Sequence, residues 1–159
     1  MVAILQRAID AKPDFAAAHL LLAQSAIRLG NLEQAIQSAE RARVAAPSDI
    51  GIAFQLGLLY YQKDDLARAR AEFERAVSLN DNYSNGRYFL GLIRDREGDT
   101  RGAIAEFERI AQLNPDNQEV KLILRNLQAG KSALSGIAPP AEPPEKRRET
   151  PIGEDTSRP

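Results

Sequence analysis

Cysteine is absent from this chain of 159 residues. That removes disulfides, thiolate metal sites and cysteine nucleophiles, and it leaves the redox compartment open. Histidine occurs once, at His19, so the supply of groups able to relay protons, hold a metal or attack an electrophile is thin. Charge of either sign is not in excess: 21 basic side chains stand against 22 acidic ones, and residues 1–131 carry 17 of each. A field that would concentrate nucleic acid or an anionic membrane is therefore not expected. No stretch approaches the roughly 18 to 20 apolar residues of a membrane span, and Met1 to Arg7 place no basic region ahead of an apolar one. No cofactor, no nucleic-acid partner and no membrane contact by this chain itself are implied. The localisation read from the sequence is cytoplasmic, or periplasmic or membrane-tethered if the chain belongs to a larger protein.

What is present is a period. Ala71-Glu72-Phe73-Glu74-Arg75 returns as Ala105-Glu106-Phe107-Glu108-Arg109, and Leu56-Gly57 returns as Leu90-Gly91, each 34 positions later. One step back lies Leu22-Ala23. Pro13, Pro47 and Pro115 share one phase, with Asp81 in the remaining slot. The residues that follow (Asp14, Ser48, Asn82 and Asp116) are helix N-cap types, whose oxygens accept from the orphan amides of a first turn. Halfway along each unit stand Gly30-Asn31, Asp64-Asp65 and Gly98-Asp99. Each is a stop followed by a start: a residue that takes the left-handed conformation, then a cap for the next helix, with Asp64 the weaker substitute for glycine.

Each unit is thus two helices of about a dozen residues. Small residues recur where the helices must touch: Ala23, Gly57 and Gly91 in the first helix, Ala35, Ala69 and Ala103 in the second. Leu22, Leu56, Leu90, Phe73 and Phe107 fill the space between, at the spacing of an amphipathic stripe. Such a pair cannot bury its apolar face alone and has to stack on its neighbours.

With small, turn and proline positions at this spacing, the chain resembles the tetratricopeptide repeat (TPR) proteins, over about residues 1–131. The resemblance implies an all-α, right-handed α-solenoid of three helix-turn-helix pairs at 16–49, 50–83 and 84–117. A half repeat at 1–13 precedes them and a capping helix at 118–129 follows. Departures are His19 and Ala53 at the usual large aromatic position, Ala26 and Arg94 at the usual tyrosine, and Ile110 at the usual small residue. A start inside a repeat leads us to expect a fragment or an appended module, and such repeats also resemble the soluble ends of some bacterial membrane proteins that assemble cell-surface glycans. Residues 132–159 hold six of the nine prolines and read as a disordered tail. Pro139 to Pro144 is either a spacer or a polyproline II ligand. Lys146-Arg147-Arg148, flanked by Glu145 and Glu149, reads as solvated.

The resemblance also implies a function, binding of a peptide or helix of a partner protein on the inner, concave surface, without catalysis. Carried over by position, that groove is lined by Leu20, Gln24, Ile27 and Arg28 in the first repeat and by Phe54, Leu58, Tyr61 and Gln62 in the second. Tyr88, Leu92, Asp95 and Arg96 supply it in the third. Ala17, Gly51 and Asn85 lie on the same surface, and the capping helix adds Glu119, Leu122 and Asn126. The alternative is that some of these side chains pack on adjacent helices or on a second copy, Phe54 above all. The lysine and asparagine set with which some family members clamp an acidic C-terminus is replaced here by Leu20, Gln24 and Gln55, which argues against that ligand. His19 lies on the packing face, and Glu72 and Glu106, one turn from Arg75 and Arg109, read as a solvated helix face rather than as catalytic carboxylates. Self-assembly remains as the second function, with a dimer expected to bury Leu5, Ile9 or Leu92.

Overall fold

The stops and starts in the sequence become eight α-helices in the computed structural model, which describes residues 2–12 and 15–137. They are α1 (Val2–Ala11), α2 (Ala16–Arg28), α3 (Leu32–Ala45), α4 (Ile50–Gln62), α5 (Leu66–Leu79), α6 (Ser84–Arg96), α7 (Thr100–Leu113) and α8 (Gln118–Gln128). The described residues contain no strand, and the fold is all-α. The chain divides after Asp81 into two compact units, one holding α1 to α5 and one holding α6 to α8. Within them α2 packs on α3, α4 on α5 and α6 on α7, while α1 docks on α2, α3 on α4 and α7 on α8.

The turn inside each pair forms for local reasons. Gly30, Asp64 and Gly98 have φ of 73°, 62° and 82°, and the amide after each reaches back five residues. Asn31 N–H donates to Ala26 O at 2.9 Å, Asp65 N–H to Tyr60 O at 2.9 Å and Asp99 N–H to Arg94 O at 2.8 Å. This is the Schellman closure, and the side chain of its last residue then caps the next helix. Asn31, Asp65 and Asp99 accept from the amides of Gln34, Arg68 and Gly102. Asp64 is the only non-glycine residue with positive φ among the described residues. Lys131 N–H closes on Asn126 O after Gly130 in the same way.

Between pairs the caps stand one position later than the sequence suggests. Ser48 and Asp116 do not cap. They sit inside β-turns that the proline opens, with Asp49 N–H on Ala46 O and Asn117 N–H on Asn114 O, and proline favours the second position of such a turn. The cap therefore falls to the fourth turn residue: Asp49 accepts from Ile52 N–H and Asn117 from Val120 N–H, each at 3.0 Å. At the corresponding places Phe15 and Tyr83 provide no side-chain cap. Asn82, expected as a cap, instead accepts from Arg109 at 3.0 Å. Pro13 and Asp14 lie outside the described residues.

The small positions carry the packing of each pair. A Cβ at Gly57 would stand 2.7 Å from Cε1 of Phe73, and one at Gly91 would stand 2.5 Å from Cε2 of Phe107. Both rings are fully buried, each pressed flat on a helix backbone that only glycine leaves bare. The first repeat has alanine at both corresponding positions, Ala23 and Ala39, which are also fully buried. Burial of a phenylalanine side chain contributes roughly 1.5 to 3 kcal/mol, so each Gly–Phe pairing contributes heavily to a fold whose total stability is small.

At the C-terminal end the packed chain runs further than expected. The sequence lets the tail begin at Ser132, whereas residues 132–137 form two turns against the core, with Ser135 N–H on Ser132 O and Ile137 N–H on Leu134 O, each at 3.0 Å. Ala133 is fully buried there. The rest of the expected tail, 138–159, lies outside the described residues.

Candidate functional site

Helical spacing alone puts Leu20, Gln24, Ile27 and Arg28 on one stripe of α2, at i, i+4, i+7 and i+8, and repeats that stripe on α4 and α6. In the first unit the stripe is partly open. Leu20, Gln24 and Ile27 on α2 and Phe54, Leu58 and Tyr61 on α4 are half-buried, and Arg28 and Gln62 are exposed. Gln55 and Leu21, which flank the stripes, are half-buried and exposed respectively. The opposite face of the same helices is the core, with Ala18, Leu22, Ala23 and Ala26 buried in α2 and Ile52, Ala53, Leu56 and Leu59 buried in α4. Phe54 belongs to both: its ring leans on Phe73, centroid to centroid 5.7 Å at 55°.

The stripe of the second unit differs. Leu92, expected in the groove, is buried with Phe107, Ile110, Val120 and Ile123, because α8 closes over it from one side. Tyr88 donates its hydroxyl to Glu119 at 2.6 Å and meets the rings of Phe89 and Phe107 edge-on. Asp95 accepts the backbone N–H of Ala133 at 2.8 Å. Asn126, on α8, is buried and donates its amide to Ala133 O at 3.0 Å and to Ser135 O at 2.7 Å. Arg96 stays exposed, Asn85 and Leu122 are half-buried, and in the first unit Ala17 and Gly51 are exposed. The groove positions of this unit thus hold a stretch of the chain itself.

The dimer surface expected from the sequence is also altered. Ile9 is buried on Ala18 and Leu22, with Leu5 packed beside it, and Leu92 is internal. Ile4, on α1, is exposed.

Two carboxylates expected on a solvated face are drawn into ion pairs instead. Glu72 is buried and faces Arg43 at 3.4 Å. Burial raises its pKa, and Arg43 and Arg75 oppose that shift. Glu106 binds Arg87 at 2.8 Å and Arg94 at 3.7 Å, with only 13% of the side chain exposed for both Glu106 and Arg87. For Glu106 one of the departures matters: Arg94 stands on α6 where a tyrosine is usual, and its guanidinium takes an internal acceptor. Arg75 turns away to Pro47 O. Glu74 and Glu108 are exposed as expected.

Tyr60 supplies a third internal contact. Its hydroxyl donates to Glu40 and Arg68 lies over its ring at 4.6 Å. Burial first, then the Glu40 carboxylate, push it up to about 12, against the opposing effect of Arg68.

His19 is buried, as its packing-face position implies. It borders a cavity of about 1040 Å³ in the first unit, with Ile9 of α1 and Gln37, Glu40, Arg41 and Val44 of α3. This opening is lined by none of the groove-stripe residues. Among the described residues no three of His, Asp and Glu converge as metal ligands, and no helix is long and apolar enough to cross a membrane.

The same architecture recurs in solved structures. The chain superposes on the crystal structure of MamA with a TM-score of 0.71 and 23% identity, covering 85% of this chain and 75% of that one. A tetratricopeptide repeat protein from Parabacteroides merdae gives 0.74 at 19% identity, over 81% of this chain and 53% of that one. The first TPR of Spaghetti (RPAP3), bound to the HSP90 peptide SRMEEVD, gives 0.66 at 22% identity, over 72% of this chain and 91% of that one. No curated protein matches in sequence. At these identities the likeness is one of fold. The tetratricopeptide repeat profile matches residues 2–50 and 54–118, most of the chain, and with the 34-residue period, the Schellman turns and the Gly–Phe contacts it establishes that this protein belongs to the tetratricopeptide repeat family.

Proposed function

We propose that this protein is a non-catalytic interaction scaffold whose first unit takes a peptide or helix of another protein along the stripes of α2 and α4. The observation that carries this is the half-burial of Leu20, Ile27, Phe54, Leu58 and Tyr61 on helices whose other face is already core. Apolar and aromatic side chains held rigid by a packed backbone, yet left partly exposed, are the anchors that dominate protein interfaces. Gln24 and Gln62 offer amide groups beside them, and Arg28, exposed at the end of its stripe, offers a fork for a carboxylate.

A peptide-bound neighbour of the same fold supports the class of ligand but not its chemistry. SRMEEVD is acidic, and the stripe here carries Leu20, Gln24 and Gln55 where a clamp for carboxylates needs lysine and asparagine. The expected ligand is therefore a mainly apolar segment with a single acidic group opposite Arg28. Whether the scaffold belongs to a larger bacterial membrane protein is a separate proposal, tested by the gene context rather than by this fold.

The test is selection of a displayed random peptide library on the full chain, repeated on Leu20→Glu/Leu58→Glu after circular dichroism and thermal melting show equal folding. Apolar peptides enriched on the parent and lost on the variant support the reading. Equal enrichment on both, or none on the parent, removes it and leaves self-association ahead.

A further inference from the structure

We propose that the α6/α8 face of the second unit is a peptide site that reads backbone rather than side chains, and that Lys131–Ile137 is its resident ligand, held in cis. The argument begins with two polar exceptions in the repeat. Asp95 stands where the earlier repeats have Ile27 and Tyr61, and Asn126 stands where the second and third have Leu58 and Leu92 and the first has Gln24. Both exceptions meet the same seven residues. Asp95 Oδ2 accepts from Ala133 N–H, and the two amide hydrogens of Asn126 go to Ala133 O and Ser135 O. A carboxylate and a primary amide with both hydrogens committed form a complementary pair for one N–H and two carbonyls of a turn.

None of those hydrogen bonds uses a side chain of the segment, so selectivity comes from shape. Ala133 is fully buried in the cluster with Leu92, Phe107 and Leu127, where a larger residue has no room. Ile137 packs at its edge, and Leu134 between them is exposed. Gly136, at φ 72°, lets the second turn close. The ligand class is thus a short turn-forming peptide with a small residue, a residue of positive φ three places on, and an aliphatic residue immediately after. Lys131–Ile137 fits it because the chain ends α8 at Gly130, which directs the following residues back across α8.

This rests on the reading that first-helix faces of this protein take peptide, but its test is confined to α6 and α8 and uses the chain's own segment as probe. A peptide of residues 131–137 is titrated into isotopically labelled full-length protein, wild type and Ala133→Arg, with the backbone and Asn126 side-chain amide signals observed by NMR. The titration runs to roughly 10 mM, since a tether this short confers an effective concentration of millimolar order.

The proposal expects Ala133→Arg, its own segment expelled, to bind the peptide with shifts at Asp95 and Asn126. It expects wild type to respond at least tenfold more weakly, and a peptide carrying arginine at the Ala133 position to bind neither. Equal binding to both proteins, or none to Ala133→Arg while its helices are intact, overturns it. A wild-type dimer that Ala133→Arg converts to monomer overturns the assignment in cis and places the segment on a second copy. If Ala133→Arg loses helicity, Ile137→Asp, altered at the half-buried edge, carries the same titration with the same outcomes.

Discussion

Replacing Gly57 by leucine tests the contact on which the packing of each pair depends. A Cβ alone would stand 2.7, 2.9 and 3.0 Å from three atoms of the Phe73 ring, well inside ordinary contact, and the ring is fully buried with no free volume to retreat into. Against this, leaving glycine for leucine in a helix interior gains up to about 1 kcal/mol of intrinsic helix preference. Overpacking of a well-filled core costs typically about 1 to 3 kcal/mol, occasionally more, and here a full side chain rather than one methyl is inserted. The expected net loss is about 1 to 3 kcal/mol. With a urea m-value of about 2 kcal/mol/M, that is a fall of roughly 0.5 to 1.5 M in midpoint. Urea unfolding followed by far-ultraviolet circular dichroism measures it. The mechanism is tested by coupling: Phe73→Ala alone costs about 3 to 5 kcal/mol, but in the Gly57→Leu background the new side chain occupies the vacated space, so the two losses should fall short of additive by at least about 1 kcal/mol. An unchanged midpoint in Gly57→Leu, or strict additivity in the double variant, refutes the close-approach argument.

The fate of two leucines at equivalent positions separates core from groove: Leu92→Glu, which buries a charge among Phe107, Ile110 and Ile123, should cost at least about 3 kcal/mol, while Leu58→Glu, half-buried on α4, should cost under about 1.5 kcal/mol, as read from paired urea midpoints. Asn117→Ala, removing the cap on Val120 N–H, should cost about 1 kcal/mol and speed amide exchange in the first turn of α8. Its neighbour Asp116→Ala should change stability by less than about 0.5 kcal/mol; the reverse order would restore the cap to the position expected from the sequence. Tyr60 should ionise near its value of about 12, as read from the difference between the ultraviolet absorbance titrations of the parent and Tyr60→Phe. Its folded pKa is raised, so its contribution to stability is full below about pH 10 and is lost as pH rises through about 12. In Tyr60→Phe that alkaline loss should disappear, and if the difference titration instead places Tyr60 at its ordinary value of 10 the Glu40 contact is absent in solution.

Interactions that close within a few residues were legible in advance. The left-handed turns at Gly30, Asp64 and Gly98 and the caps at Asn31, Asp65 and Asp99 follow from residue type and neighbours a few positions away. The small positions at Gly57 and Gly91 were legible as places of close approach because the repeat states them twice, but that the ring of Phe73 or Phe107 is what lies against each came from the structure. The inter-repeat caps were placed one residue early because a proline marks both a helix end and a turn, and the sequence does not say how many residues the turn consumes.

What tertiary structure alone decided depends on elements distant in the chain. Glu72 looked solvated beside Arg75, but burial depends on Arg43, which α3 brings to it. Leu92 looked like a groove residue by phase, yet it is buried with Val120, Ile123 and Leu127 of α8. The most consequential case is Ala133. Nothing local in Ser132-Ala133-Leu134-Ser135-Gly136-Ile137 distinguishes it from the start of a tail. It is ordered because Asp95, 38 residues earlier, and Asn126 offer hydrogen bonds that water would otherwise satisfy, and because a small side chain fits the space left beside Leu92 and Phe107. Period and turn chemistry are properties of the chain taken a few residues at a time, so residue order is enough to read them. Which faces end covered is a property of the assembled helices, where the free energy of burial depends on what arrives from elsewhere.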